Sequence, residues 1–172
     1  MKVIKLLWIA DRYHLRKYGR TVTGDEYLAM NYGPVASTTR DLIEKTEFLN
    51  LEEVKYSEQY IEPVGKYEVQ SKKKPDLQYL AETDKEALNF SISKFGSLDQ
   101  FELKDISHRY PEWKKVADKF PDGKPIREEM SLLDFFDNPN DGMDDKFKID
   151  QDVLQVSKDI VINNNSLFEK LK

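Results

Sequence analysis

The stretch VIKLLWIADRYHLRKY, residues 3–18, constrains the fold more than any other. Val3, Leu6, Leu7, Ala10, Tyr13 and Leu15 form an apolar stripe at helical spacing, and Ile4, Trp8 and Ile9 widen it. A helix with so broad an apolar arc has to be packed on more than one side, so it is expected to be central. Lys17 in the last turn and Gly19 after it predict where the helix ends. A cation suits the negative end of the helix dipole, and glycine suits the left-handed position beyond it. At 172 residues the chain is long enough to bury a working core as one domain.

The following elements are read from caps and breakers. Thr23-Gly24-Asp25-Glu26 has the form of a capping box, predicting a short helix to about Asn31 with Tyr27, Leu28 and Met30 facing inward. Tyr32-Gly33-Pro34-Val35 stops it, because Pro34 lacks an amide and keeps Gly33 out of the helical region. Ser37 or Thr38 is then expected to cap a third helix, with Leu42, Ile43 and Phe48 in the core. Residues 59–63 and 66–71 are rich in tyrosine and β-branched residues and flank Pro63-Val64-Gly65, which predicts a β-hairpin with a type I turn. Lys72, Lys73 and Lys74 would discourage further pairing at its edge.

Helices return in the second half. Thr83–Glu86 and Ser97–Gln100 read as capping boxes, the first opening a helix with Leu88, Ile92 and Phe95 that Gly96 closes, the second one with Phe101, Leu103 and Ile106. Pro111 starts a segment where Trp113, Val116, Ala117 and Phe120 share a face. A turn at Pro121-Asp122-Gly123, a short helix over 127–136, a loop over 138–142 and a C-terminal helical pattern over 151–172, interrupted at Asn163-Asn164-Asn165, complete the chain. The expected fold is mainly α (α+β), a compact helical domain with a small inserted β-hairpin. Residues 1–136 form the domain, and 137–172 a loop and helical extension packed on it.

Composition narrows the function. A net charge of −5 argues against a broad phosphate-binding face, and the absence of cysteine excludes disulfides and thiolate chemistry. The apolar stretch at the N-terminus is short and interrupted by Lys5, and no run reaches membrane-spanning length, so a cytoplasmic protein is expected. Asp137-Asn138-Pro139-Asn140-Asp141-Gly142 fails as a calcium loop, because Pro139 and Lys148 stand where ligands belong. No phosphate loop, nucleophile elbow or metalloprotease motif is present, and no metal or cofactor is expected.

His14 and His108 are the only groups suited to acid–base work near neutral pH without a large shift. Asp11, one turn before His14, makes a carboxylate–histidine pair geometrically possible, although structural hydrogen bonding is the commoner role at that spacing. Arg12, Arg16, Lys17 and Arg20 form a basic cluster, either a solvated helix face or a patch for an acidic partner. Trp8, Tyr13, Trp113 and Phe120 fit a core. Tyr18, Tyr32 and Tyr110 lie at element ends, where a partly exposed tyrosine can also anchor a partner.

Three ordered motifs carry a family resemblance: LxxADxxHLxxxGRxxTGD from Leu7 to Asp25, AMxYGPV from Ala29 to Val35, and ISH…PxW from Ile106 to Trp113. The chain resembles the Panacea domain, the SocA-like antitoxin domain of bacterial and phage-borne toxin–antitoxin pairs. The resemblance implies a protein that neutralises a cognate protein toxin by direct binding; the SocA branch delivers its toxin to a Clp-type protease as an adaptor. Many members carry an additional N-terminal DNA-binding domain, whereas this chain begins inside the first motif, which argues against such autoregulation. Asp11, His14, Gly33, Pro34, Val35, His108 and Trp113 are the motif residues. Arg12, Arg16, Tyr18, Arg20, Tyr32 and Tyr110 are the candidate partner contacts. Two other readings remain: a phage or mobile-element host-interaction protein without a dedicated toxin, and a hydrolase using His14 with His108.

Overall fold

The computed structural model describes residues 1–119, 127–139 and 144–170. Its hub is α1 (Lys2–Tyr18), which ends where the sequence predicts: Gly19 has φ 72° and donates its amide to the Leu15 carbonyl. Trp8, Ile9 and Leu15 of α1 join Tyr27, Phe95, Leu103, Phe135, Phe147 and Val161 in one core cluster. Three helices pack on α1, namely α4 (Glu82–Phe95), α5 (Gln100–Ser107) and α7 (Gln151–Lys170). Enclosed on several sides, α1 buries polar residues as well. Lys5, Asp11, Arg12, His14 and Arg16 are each no more than 2% exposed. The chain is mainly α with small antiparallel sheets, as expected.

The largest correction falls just after α1. Residues 27–36 form a hairpin, not a short helix and a stop: β1 (Tyr27–Met30) pairs antiparallel with β2 (Gly33–Ala36), Met30 opposite Gly33. The predicted capping box does not form, because the Thr23 hydroxyl donates to Asp11 instead. Tyr27 and Ala29 are buried while Leu28 and Met30 are half-buried, the period of two that a strand shows. Among the described non-glycine residues only Lys45 has a positive φ, so Asn31 and Tyr32 turn the chain with ordinary φ. Gly33 (φ 94°) supplies the left-handed step that fits such a turn to twisted strands.

α2 (Ser37–Glu44) is capped by Asp25, not by Ser37 or Thr38; the Asp25 carboxylate accepts from the Thr38 and Thr39 amides at 3.0 and 2.7 Å. α3 (Leu51–Glu58) has a capping box of Asn50 and Glu53. Leu42 and Ile43 are only half-buried and Phe48 is exposed, so this region does not feed the core as expected. The second hairpin lies where predicted, as β3 (Ile61–Pro63) on β4 (Val69–Ser71), but its connection spans 64–68, longer than the type I turn.

In α4 the carboxylate that reaches back to the cap is Asp84, which accepts from the Ala81 amide, and Glu86 is used elsewhere. Gly96 follows α4 with φ −65°, without a left-handed step. The box at α5 is Asp99 with Glu102, two residues beyond the predicted one. Pro111 opens α6 (Pro111–Ala117) as expected. The predicted helix over 127–136 is instead β5 (Arg127–Glu129), which pairs on β1 to give the order β2-β1-β5, followed by a 3-10 helix (Leu132–Phe136). α7 runs unbroken through Asn163-Asn164-Asn165, whose side chains are exposed and need no break. Phe120, the turn at 121–123, Asn140-Asp141-Gly142 and residues 171–172 lie outside the described residues.

Candidate functional site

The three sequence motifs converge on the β1–β2 hairpin and the loop leading to it. Asp11 is the anchor of the loop. Its carboxylate accepts from the Val22 amide at 2.7 Å, the Thr23 amide at 3.0 Å, the Thr23 hydroxyl at 2.5 Å and the Tyr27 hydroxyl at 2.8 Å. Burial pushes its pKa up and these donors oppose the rise. The Asp11–His14 pair considered from the sequence is therefore not made. His14 instead has Nδ1 2.8 Å from the Arg20 carbonyl and Nε2 3.3 Å from an Asp84 carboxylate oxygen.

The third motif clamps the turn. The His108 ring lies flat on Trp113, with centroids 3.7 Å apart and planes at 4°, and hydrogen-bonds the Asn31 backbone. Trp113 Nε1 donates to the Met30 carbonyl at 2.8 Å. Behind the turn, Lys5 Nζ donates to the Pro34 carbonyl at 2.6 Å. Burial lowers the Lys5 pKa to about 7. Val35 and Pro34 are buried in the same hairpin. Asp11, His14, His108 and Trp113 thus each brace the protein's own backbone.

His14 and His108 are not brought together. His108 adjoins Lys5 through Gly33, and Lys5 stands nine residues before His14 on α1, about 13 Å along the axis. Burial, with help from Lys104 and Lys5, lowers the His108 pKa to about 4. The neutral form is therefore the one present at neutral pH. The linkage has a definite sign. A histidine with its folded pKa depressed contributes stability above about 6.5 that is lost as pH falls toward 4. His108→Phe keeps a stacking ring without that titration. Its stability relative to the parent should rise as urea unfolding is moved from pH 7 to pH 5, and a pH-independent difference would refute this.

Two of the basic candidates are part of the interior. Arg12 makes two 2.8 Å hydrogen bonds to the Glu112 carboxylate and one of 2.7 Å to the Asp137 carbonyl, with both charged side chains fully buried. Arg16 Nη1 donates to the Phe135 and Phe136 carbonyls, and its Nη2 to Asn138 at 2.6 Å. Neither a solvated face nor a partner patch describes Arg12 and Arg16, which tie the end of the 3-10 helix and the residues after it onto α1 and do not face solvent. Tyr110 is buried as well, edge-on to Trp8 and beneath the Arg12 guanidinium.

The remaining candidates are at the surface. Arg20 reaches Asp84 at 2.7 Å with its side chain half exposed. Tyr18 shares Glu86 with Tyr13 and Lys17, three donors that hold the Glu86 pKa down to about 2. Tyr32, at the hairpin tip, is 61% exposed.

The sequence reading missed an uncovered apolar surface. From Ser37 to Leu80 the only buried residue is Ser57, whose hydroxyl holds the Leu42 carbonyl and so ties α3 to α2. Along this arm Phe48, Leu51, Tyr56, Tyr67, Leu77 and Tyr79 are each more than half exposed. The available signal was a tyrosine-rich stretch lacking the apolar periodicity of a core element.

Among the described residues no His, Asp and Glu cluster could hold a metal, and no helix is long and apolar enough to cross a membrane. Fold and site together define a mainly helical domain whose motif residues hold its hairpin and which leaves an aromatic arm uncovered. The chain belongs to the family described as antitoxin SocA-like, Panacea domain, whose sequence model matches residues 3–114. No curated protein and no solved structure matches the chain.

Proposed function

We propose that the chain is an antitoxin that neutralises a cognate protein toxin by direct, stoichiometric binding in the cytoplasm, with the arm of residues 37–80 and Tyr32 forming the contact surface. The observation that carries this reading is the arm itself. Large apolar and aromatic side chains stand in solvent there with almost no buried residue beneath them, and surfaces of that kind mark protein partners. Tyr18 and Arg20 would extend the contact. The family domain would occupy 1–136, with 137–172 an extension packed on it. The separation of the two histidines, and the binding of the motif carboxylates to the protein's own backbone, speak against a hydrolase.

Titration of toxin activity with purified protein should reach full neutralisation at a fixed molar ratio. Neutralisation at strongly substoichiometric amounts without a protease would refute occlusion in favour of turnover. Delivery to a Clp-type protease is a separate step: it would appear as toxin loss only when protease and ATP are added. Binding without any effect on toxicity would favour a host-interaction role instead.

A further inference from the structure

We propose that the groove between α2 and α3 takes a basic, amphipathic helical segment of the protein partner, one apolar side chain seated against Leu42 and Tyr56 with Lys or Arg beside Glu52. The identity of that partner as a toxin rests on the antitoxin reading; the chemistry of the groove does not.

The groove is lined by Thr38, Leu42, Asn50, Glu52, Glu53 and Tyr56. Its apolar content is a half-buried leucine and a tyrosine 57% exposed, a seat for one side chain. Charge selects the occupant. Residues 37–58 hold six acidic and three basic residues. Two of the three bases are already engaged inside the arm, Arg40 with Glu44 at 2.8 Å and Lys45 with Glu58 at 3.2 Å. Glu53 is held by the Asn50 amide, while the Glu52 side chain is exposed on the groove with no ion-pair partner among the described residues. An acidic or neutral segment would meet an uncompensated negative field, and a cationic one would neutralise it.

Geometry selects a helix. The groove walls are residues 38–42 of α2 and 52–56 of α3, each about 6 Å of helix, so the seat matches about one turn of a partner helix. No strand edge lines it, so an extended chain would find no ladder for its backbone groups, whereas a helix brings its own hydrogen bonds.

The test titrates isotope-labelled full-length protein with two synthetic peptides of about 18 residues, long enough to hold a helix. One is a Leu/Lys amphipath and the other its Leu/Glu counterpart. The Leu/Lys peptide should shift amide signals within residues 38–56, saturate, and weaken with added salt, while the Leu/Glu peptide should leave them unchanged. Glu52→Lys and Tyr56→Ala should each weaken binding at least about tenfold, equivalent to about 1.4 kcal/mol. Both side chains are exposed and leave the Asn50–Glu53 capping box intact, so the two variants should melt within a few degrees of the parent, Glu52→Lys losing only a first-turn charge that suits the α3 dipole. Equal binding of both peptides, shifts confined to other surfaces, or affinity insensitive to both substitutions would overturn the proposal. Neutralisation assays keep the two readings apart. Toxin neutralised by a protein whose groove ignores the peptide defeats the groove and leaves the antitoxin, and the opposite pattern defeats the antitoxin and leaves the groove.

Discussion

Glu112→Ala is expected to destabilise the protein by about 3 to 5 kcal/mol, the usual result of leaving one member of a buried ion pair uncompensated. Glu112 is fully buried in the first turn of α6, and both its carboxylate oxygens lie 2.8 Å from Arg12 Nη1. Burial raises its pKa and Arg12 opposes the rise, so the carboxylate depends on that guanidinium to stay charged. Without it Arg12 keeps one carbonyl, that of Asp137, for a cation that no water reaches. The double variant Arg12→Met/Glu112→Leu should recover most of the loss, because removing both charges removes both desolvation penalties. Denaturant unfolding measures this directly. A loss under about 1 kcal/mol for the single variant would show that the pair is replaceable by solvent.

The burial of these arginines explains where the sequence was legible and where it was not. The width of the apolar arc on α1 correctly announced a central helix, and Gly19 its end. The same width carries a consequence for Arg12 and Arg16: a helix packed on several sides has no free face on which to solvate them. Their partners lie about 100 or more positions away, at Glu112 and at the carbonyls of Phe135, Phe136 and Asp137. Local periodicity cannot carry contacts of that separation.

The first hairpin was misread for a related reason. Thr23-Gly24-Asp25-Glu26 has both residues a capping box needs, Thr23 and Glu26, but Thr23 and its neighbour Asp25 are claimed at long range. Asp11 takes the Thr23 hydroxyl, and Asp25 is spent on the start of α2. Competition from tertiary partners overrides a local signal whose worth is only about 1 kcal/mol. The alternation of Tyr27 and Ala29 against Leu28 and Met30 was present but covers only four residues, too few to separate strand from helix by period alone. The stack of His108 on Trp113, by contrast, is a short-range contact that joins the end of α5 to the proline-started α6. The aromatic arm contradicts no rule of sequence reading. Its aromatic residues are of core type, and only the structure shows that just Ser57 is buried among them.

Gly33→Val should lower stability by about 3 kcal/mol or more, because strain and overpacking each contribute about 1 to 3 kcal/mol and both apply. The backbone sits at φ 94°, where a β-branched residue is strained whatever space surrounds it. Space is also lacking. A β-carbon at this position would overlap the Ser107 hydroxyl and lie 2.9 Å from Lys5 Nζ and 3.3 Å from His108 Cδ2. Moving Lys5 away would break its bond to the Pro34 carbonyl, and moving His108 would disturb the stack on Trp113 that holds the turn. For a chain of this length the melting temperature should fall by roughly 6 to 12 °C. Tyr32→Ala, one residue earlier, supplies the contrast. Tyr32 is 61% exposed, so its removal should leave the melt within a degree or two of the parent, the usual small effect of a surface change. If Tyr32 belongs to the toxin contact, neutralisation should weaken in Tyr32→Ala at constant stability, and in Gly33→Val only in proportion to the unfolded fraction. An unchanged melt for Gly33→Val would show that the hairpin can re-form around a side chain, and that its glycine is a convenience of the turn and not a requirement of the packing behind it.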